Sequence, residues 1–475
     1  MAGIGFSLKK MFHEHGLLAN IRAYGYSTIV TVGPLALCIL LMTVVQQWLL
    51  AVNTPFGEKE LFMAATEYAL IFSQIITGGF NLIISRYVAD QIFQGAYENI
   101  LASMYGVIAI CTVIGGVSAF IFFTNSPLPF TFKFFTYLFF TELIIIWIQC
   151  MYISALKDYM KIVKSFLIGV LISGTAIFVC IYIFGIQSAT AMMGCLNIGF
   201  LFMVIKFTQY IRAFFKVNNE NYFEFFGYFK QYPRLFITGF LYTLALYGHN
   251  LAAWQGPHQH IVSDTFVIAP FYDVPVFFAY LSVLPAMVIF VVSLETTFYK
   301  SYKTYYNRIL NAYPLKEIRA AKKDMFNILS LELTFITEIQ LFVAVCSIAL
   351  GLKFLPMLGL SYEQIQLFCI LVLGYLFFIV MYTIVLVLLY FDDQTGALVT
   401  TAAYTVGSIL LTFLFQLHGS YGYAVFISGF ISLLIGIAKL THYLNQIDYY
   451  TFCSQPLIPQ DKGKQPSISK WEDYL

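Results

Sequence analysis

The chain has 475 residues, of which 60% are hydrophobic and only 11% charged. Soluble domains are roughly one-quarter charged, so most of this surface cannot face water, and a soluble enzyme of several aqueous domains is excluded. Lys and Arg number 26 against 24 Asp and Glu, and the formal net charge of +2 is too small to suggest a nucleic-acid partner. Taken from the start, Met1 to Lys10 has no apolar core followed by a small-residue cleavage site. The first long apolar run begins only after Arg22 and is too long for a signal peptide, so it reads as a retained helix.

A helix crossing ~30 Å of hydrocarbon needs about 20 residues. No charge occurs between Ala23 and Gly57, which predicts a first span near 25–50. Further spans are predicted near 60–85, 99–123, 131–155, 162–184, 188–211, 232–254, 275–299, 331–354, 364–391, 396–417 and 421–444. Two uncharged stretches are too long for one crossing. Ser165–Ile205 is divided by Gly185-Ile186-Gln187-Ser188, and Gln394–Ala438 by His418-Gly419-Ser420-Tyr421-Gly422, so each reads as a hairpin of two helices. The fold class is all-α, a polytopic membrane protein of about twelve helices.

Basic residues accumulate in cytoplasmic loops. With the N-terminus inside, only Lys59, Lys133 and Lys353 of the 26 fall outside. The expected topology therefore has both termini cytoplasmic in a cytoplasmic (inner) membrane. The segment 213–231 leaves six spans on either side and predicts two six-helix lobes with a cavity between them. The expected divisions are 1–217, 218–447 and a cytoplasmic tail at 448–475. The run 300–330, with Lys300, Lys303, Arg308, Lys316, Arg319, Lys322 and Lys323, predicts a cytoplasmic connecting helix lying on the anionic leaflet.

Ionisable groups deep in lipid cost at least ~2.5–3.5 kcal/mol, so each is a functional candidate. Glu142 falls near the middle of the fourth span, Glu67 in the outer part of the second, Glu338 a third of the way into the ninth and His249 in the outer part of the seventh. Each is either a substrate-path group or a bridge between helices. Glu295 and Glu332 lie at the inner boundary, where snorkelling satisfies them. Pro34, after Gly33, and Pro285 remove helical hydrogen bonds and predict bends. The outer loop 255–274 carries His258, His260, Asp264 and Asp273 but no Lys or Arg. Its two carboxylates either line an exit for a cationic substrate or cap the flanking spans.

Metal binding at His258 and His260 lacks further ligands. Cys38, Cys111, Cys150, Cys180, Cys195, Cys346 and Cys369 lie in apolar runs, Cys453 lies in the tail, and no C-x-x-C occurs, so no metal or redox site is expected. No phosphate-binding loop, nucleophile elbow or H-E-x-x-H motif is present, and no cofactor is expected. Asp392-Asp393 is the one pair that a membrane-embedded transferase could use, and it reads equally as a turn. A transporter is expected, driven by an ion gradient, the membrane potential or a coupled polymerase.

Several segments carry a family resemblance. Met1-Ala2-Gly3-Ile4-Gly5-Phe6, Arg22-Ala23-Tyr24-Gly25-Tyr26 and Gly33-Pro34 open it. Ala269-Pro270-Phe271-Tyr272-Asp273-Val274-Pro275, Ala279-Tyr280-Leu281, Pro285 and Glu295-Thr296-Thr297-Phe298-Tyr299 follow around the eighth span. Leu389-Tyr390-Phe391-Asp392 and Asp448-Tyr449-Tyr450-Thr451-Phe452 close it. In this order they resemble PelG, the membrane transporter family of Pel exopolysaccharide systems, over nearly the whole chain. The resemblance implies the superfamily of multidrug, oligosaccharidyl-lipid and polysaccharide exporters, with alternating access between two lobes. It implies outward passage of an amino-sugar exopolysaccharide, with a cytoplasmic glycosyltransferase and other membrane subunits of a synthase complex as partners. A lipid-linked oligosaccharide flippase or a cation-coupled drug exporter of the same superfamily is the alternative.

Overall fold

The computed structural model describes residues 17–453 except 157, 218, 418 and 420. The first half consists of α1 (Leu17–Ala51), α2 (Phe56–Gln94), α3 (Glu98–Phe123), α4 (Phe130–Ala155), α5 (Tyr159–Phe178, prolonged by a π turn at Val179–Ile183) and α6 (Ala189–Phe214). A short α7 (Phe226–Gln231) leads to α8 (Pro233–Ala253) and a hairpin of β1 (His260–Val262) and β2 (Phe266–Ile268). A broken rod follows, made of α9 (Pro270–Leu281), α10 (Leu284–Ser293), a π segment (Leu294–Phe298) and α11 (Tyr299–Leu310). The chain closes with α12 (Leu315–Phe354), α13 (Tyr362–Tyr390), α14 (Gln394–Gln416), α15 (Gly422–Asn445) and the short α16 (Ile447–Phe452).

With the α9–α11 rod counted as one, 11 helices are long and apolar enough to cross a membrane. A twelfth, α8, spans about 31 Å at 1.5 Å per residue and is less apolar because Thr238, His249 and Asn250 occupy its buried face. Local chemistry sets the helix ends. Pro55, Pro129 and Pro314 stand just before α2, α4 and α12, where a missing N–H leaves no helical bond unmade. Ser361 and Gln364 form a capping box on α13, and Gly95 ends α2 in the left-handed region at φ 74°.

Two expectations need correction. Residues 300–330 form no separate connecting helix, because α11 continues the rod and α12 starts back after a turn at 311–314. At 40 residues α12 is about 60 Å long, twice the hydrocarbon thickness. The outer loop also ends sooner than expected, since α9 starts at Pro270. The rod breaks at Ser282-Val283, immediately before Pro285, whose ring clashes with the carbonyl four residues back. Buried Gln340 donates to the Ser282 carbonyl at this break, at 3.3 Å. By contrast α1 runs through Pro34 uninterrupted.

Two lobes result, α1–α6 and α8–α15, each around its own apolar core. Phe62, Tyr87, Phe132, Phe139, Tyr152 and Phe200 fill the first, and Tyr272, Phe298, Tyr305, Tyr375 and Tyr404 the second. The lobes meet along α2 against α8, and more lightly where Val30 of α1 packs with Val292 of α10. At the α2–α8 crossing the backbones nearly touch: a Cβ on Gly78 would lie 2.2 Å from Thr243 Oγ1, and one on Gly239 2.8 Å from the Gly78 carbonyl. Among the described residues, basic side chains gather at the end of the bundle that holds the α11–α12 turn and α16. Lys59, Lys133 and Lys353 stand at the other. These are the basic end and the far end.

Candidate functional site

At the far end the β1–β2 hairpin ties the second lobe to the first. Its strands pair antiparallel around Ser263-Asp264-Thr265, with Ser263 and Asp264 both at φ 49°. Asp264 is thus an exposed turn residue, a geometry that Asp tolerates. Tyr68 of α2 donates its hydroxyl to the Val267 carbonyl (2.6 Å) and accepts from the Val267 N–H (2.9 Å), so its hydroxyl acts as an extra partner for β2. Its ring stacks on Trp254 at 4.9 Å and meets Phe266 edge-on at 5.0 Å. Ser126 and Thr265 hydroxyls meet at 2.8 Å, and His260 Nε2 lies 2.7 Å from Glu60 Oε1. His258 instead stacks on Phe271 of its own lobe, and among the described residues no group of three His, Cys, Asp or Glu could hold a metal.

Just inside this tie, α8 and α9 present a polar cluster. His249 is fully buried, with Nδ1 3.0 Å from the Tyr272 hydroxyl and Nε2 3.2 Å from that of Tyr375. An imidazole with one N–H satisfies both, donating to one hydroxyl and accepting from the other. Asp273 accepts from Asn250 Nδ2 (2.7 Å), Trp254 Nε1 (2.9 Å) and the Ala269 N–H (2.9 Å), which fastens the first turn of α9 to the end of α8. Glu67, partly buried on α2, is close enough to Asp273 for the two carboxyl groups to interact across the lobe seam. Glu142 lies elsewhere, 3% exposed in the first lobe, and neither oxygen has a hydrogen-bond partner among the described residues. Its helix neighbours on that face, Phe139 and Gln149, turn toward α6 through Phe200 and Thr208.

The basic end has a second tie that the sequence reading did not anticipate. Arg86 of α2 pairs with Asp392 at 3.1 Å, approaches Asp90 at 3.8 Å and lies over the Tyr232 ring at 4.9 Å. In the connector, burial and then the neighbouring Asp90 raise the Tyr228 hydroxyl above its ordinary range, so it stays protonated and donates to Asp90 at 3.1 Å. Asp393 caps α14 by accepting from the Gly396 N–H. Both members of the Asp392-Asp393 pair thus have structural partners. Two cavities open at this end. One of about 1010 Å³ runs between α10–α11 and α12 and holds Glu332 and Glu338; the other, about 700 Å³, includes Arg234, Asp393, Lys439 and His442. Glu295 lies in the π segment beside the larger cavity.

Two lobes tied at both ends of one seam constitute a transporter architecture, and sequence comparison assigns it. Residues 1–452 match the family described as "PelG: Putative exopolysaccharide Exporter (EPS-E)". The chain belongs to the PelG family. No curated protein matches this PelG-family chain in sequence. Solved structures supply the fold. An outward-facing multidrug resistance MATE family transporter of the MOP superfamily superposes with TM-score 0.61 at 10% identity, covering 90% of this chain and 96% of its own. An inward-facing one gives 0.59 at 11% identity, covering 86% and 95%. A mutant Vibrio cholerae MATE transporter, VcmN, gives 0.61 at 11% identity, covering 94% and 99%. At such identities the likeness is one of fold, and it makes the chain a MATE-like bundle. A PelG-family protein of this fold is a transporter and not an enzyme.

Proposed function

We propose that this PelG-family chain carries an amino-sugar exopolysaccharide outward across the cytoplasmic membrane, with the basic end inside. The observation that carries the reading is the family match over residues 1–452, on a fold whose solved neighbours face either side of the membrane. The α2–α8 crossing is a suitable fulcrum for rocking one lobe on the other. The far-end tie at Tyr68 and the basic-end tie at Arg86 are contacts that would open in turn. Glu67 and Asp273 face the seam, and Asp264, His249, Glu142 and Glu338 complete the acidic and hydrogen-bonding groups assigned to the path. A glycosyltransferase and the membrane subunits of a synthase complex would deliver polymer at the basic end.

Polymer secreted per cell is the test, measured in a strain that holds the synthase with this transporter deleted or restored. Secretion is expected only with the transporter present. Secretion that persists after deletion overturns the reading.

A further inference from the structure

The α10–α12 cavity has a charge gradient that its sequence conceals. Ser293 donates to Glu332, and Arg308 donates to the Glu317 carbonyl at 2.9 Å. The numbers of each pair add to the same value, so α10–α11 and α12 run antiparallel in one register through the cavity. That register sets Lys300 level with Asp324, both lining the mouth, while Arg308 is engaged by backbone. Opposite charges therefore face each other near the basic end. Deeper in, the lining holds Glu332 and the exposed Glu338 with no basic residue beside them. The cleft becomes more acidic as it enters the membrane.

Its other lining groups are hydroxyls. Ser293, Thr296, Thr297, Ser301, Thr304 and Thr334 all face the cavity, with the Tyr24 and Phe335 rings at its side. Thr296 and Thr297 belong to the π segment Leu294–Phe298, within the motif Glu295-Thr296-Thr297-Phe298-Tyr299. Single π turns within helices occur mostly at functional sites. From Ala321 to Glu338 the lined wall of α12 is about 25 Å long. Polar groups at this depth are tolerated only where they face protein or a water-filled space. A long trough of hydroxyls and carboxylates with aromatic edges suits a hydroxyl-rich chain bearing primary amines. An acyl chain would be placed against unpaired carboxylates.

We propose that this cleft between α10–α11 and α12 is a binding trough for an amine-bearing glycan, through which several sugar residues enter from the basic end. Glu332 and Glu338 take the amines, and the serine and threonine hydroxyls take the ring hydroxyls. The proposal rests on the exporter reading for its biological sense, but binding is measurable without export.

The transporter would be purified in nanodiscs of phosphatidylcholine and phosphatidylglycerol, free of amine headgroups. It would be titrated with a six-residue glucosamine oligomer and with its fully N-acetylated counterpart. The charged oligomer is expected to bind at least about tenfold more tightly, the factor that one charge-assisted hydrogen bond supplies. Glu332→Gln with Glu338→Gln should remove that preference, and Thr297→Trp should fill the trough and weaken both ligands. The variants' melting temperatures check that they fold. Equal binding of the two oligomers, or a double variant that still prefers the charged one, overturns the proposal. So does competition by phosphatidylethanolamine at full strength in nanodiscs containing it, since the amine site would then belong to lipid. In cells, a double variant that binds normally yet fails to export sinks the trough and leaves the exporter reading standing. A wild-type gene that restores no secretion sinks the exporter reading whatever the binding shows.

Discussion

Glu142 has a burial that only function or a compensating contact explains. A buried polar group without a partner costs about 1–3 kcal/mol, and native structures contain few of them. Replacing it with an apolar side chain of similar size should therefore stabilise the first lobe. We expect Glu142→Leu to raise stability in detergent by about 1–3 kcal/mol and to lower polymer secretion at normal membrane abundance. Glu142→Gln should lower secretion without the gain in stability. Thermal melting and secretion per transporter measure the two effects, and a Gln variant that exports at the wild-type rate would make the residue structural. Its candidacy was readable because a lone acid at mid-span stands out. Tyr68 carried no such signal: it is one of 34 tyrosines, and its role depends on Val267, 199 positions away. Asp273 was visible as an acid in an outer loop, but the three donors that saturate it come from the end of α8 and the start of α9 and could not be paired from spacing alone.

Among the helices, α2 and α8 show how a seam is set by residues that look unremarkable in sequence. Gly78 and Gly79 sit in an apolar run where small residues are common, and only the crossing shows why no side chain fits. A valine at position 78 would drive a methyl into Thr243. Overpacking of this kind costs about 1–3 kcal/mol, so Gly78→Val should lower the melting temperature and impair export, and Thr243→Ala should restore part of both. A Gly78→Val variant that melts and exports normally removes the seam as a constraint. The hairpins at Gly185 and Gly419 were legible because each uncharged stretch was too long for one crossing and contained a turn signal. The α11–α12 hairpin was misread as a surface helix, because an amphipathic basic run looks the same whether it lies on a leaflet or projects past it. Orientation is checked by single cysteines: residues in the 300–330 segment should resist an impermeant thiol reagent in intact cells, while those in 255–269 should react. The opposite pattern inverts the topology.

At the scale of the whole molecule, the two lobes are fastened along the α2 side at both ends, by Tyr68 and Ser126 at one and Arg86 at the other. Neither tie is strong. Arg86 and Asp392 are about a third and a half exposed, and ion pairs so exposed contribute about 0–1 kcal/mol. The far-end contacts are a few hydrogen bonds and stacked rings, each worth about 0.5–1.5 kcal/mol net. Weak ties suit a bundle whose lobes must separate at one end at a time, since a rocking equilibrium can be shifted only by free energies comparable to the barrier contacts. A covalent far-end tie should therefore trap the transporter. Ser126 and Thr265 hydroxyls stand 2.8 Å apart on opposite lobes, so Ser126→Cys with Thr265→Cys places two thiols where an oxidant can join them. The exposed Cys453 would be replaced first to prevent cross-links between molecules. Oxidation of the double variant should stop secretion, and a reductant should restore it, while either single variant responds to neither. A fully cross-linked transporter that exports at the reduced rate would show that polymer leaves without the far-end tie opening, and the rocking of one lobe on the other would have to be abandoned.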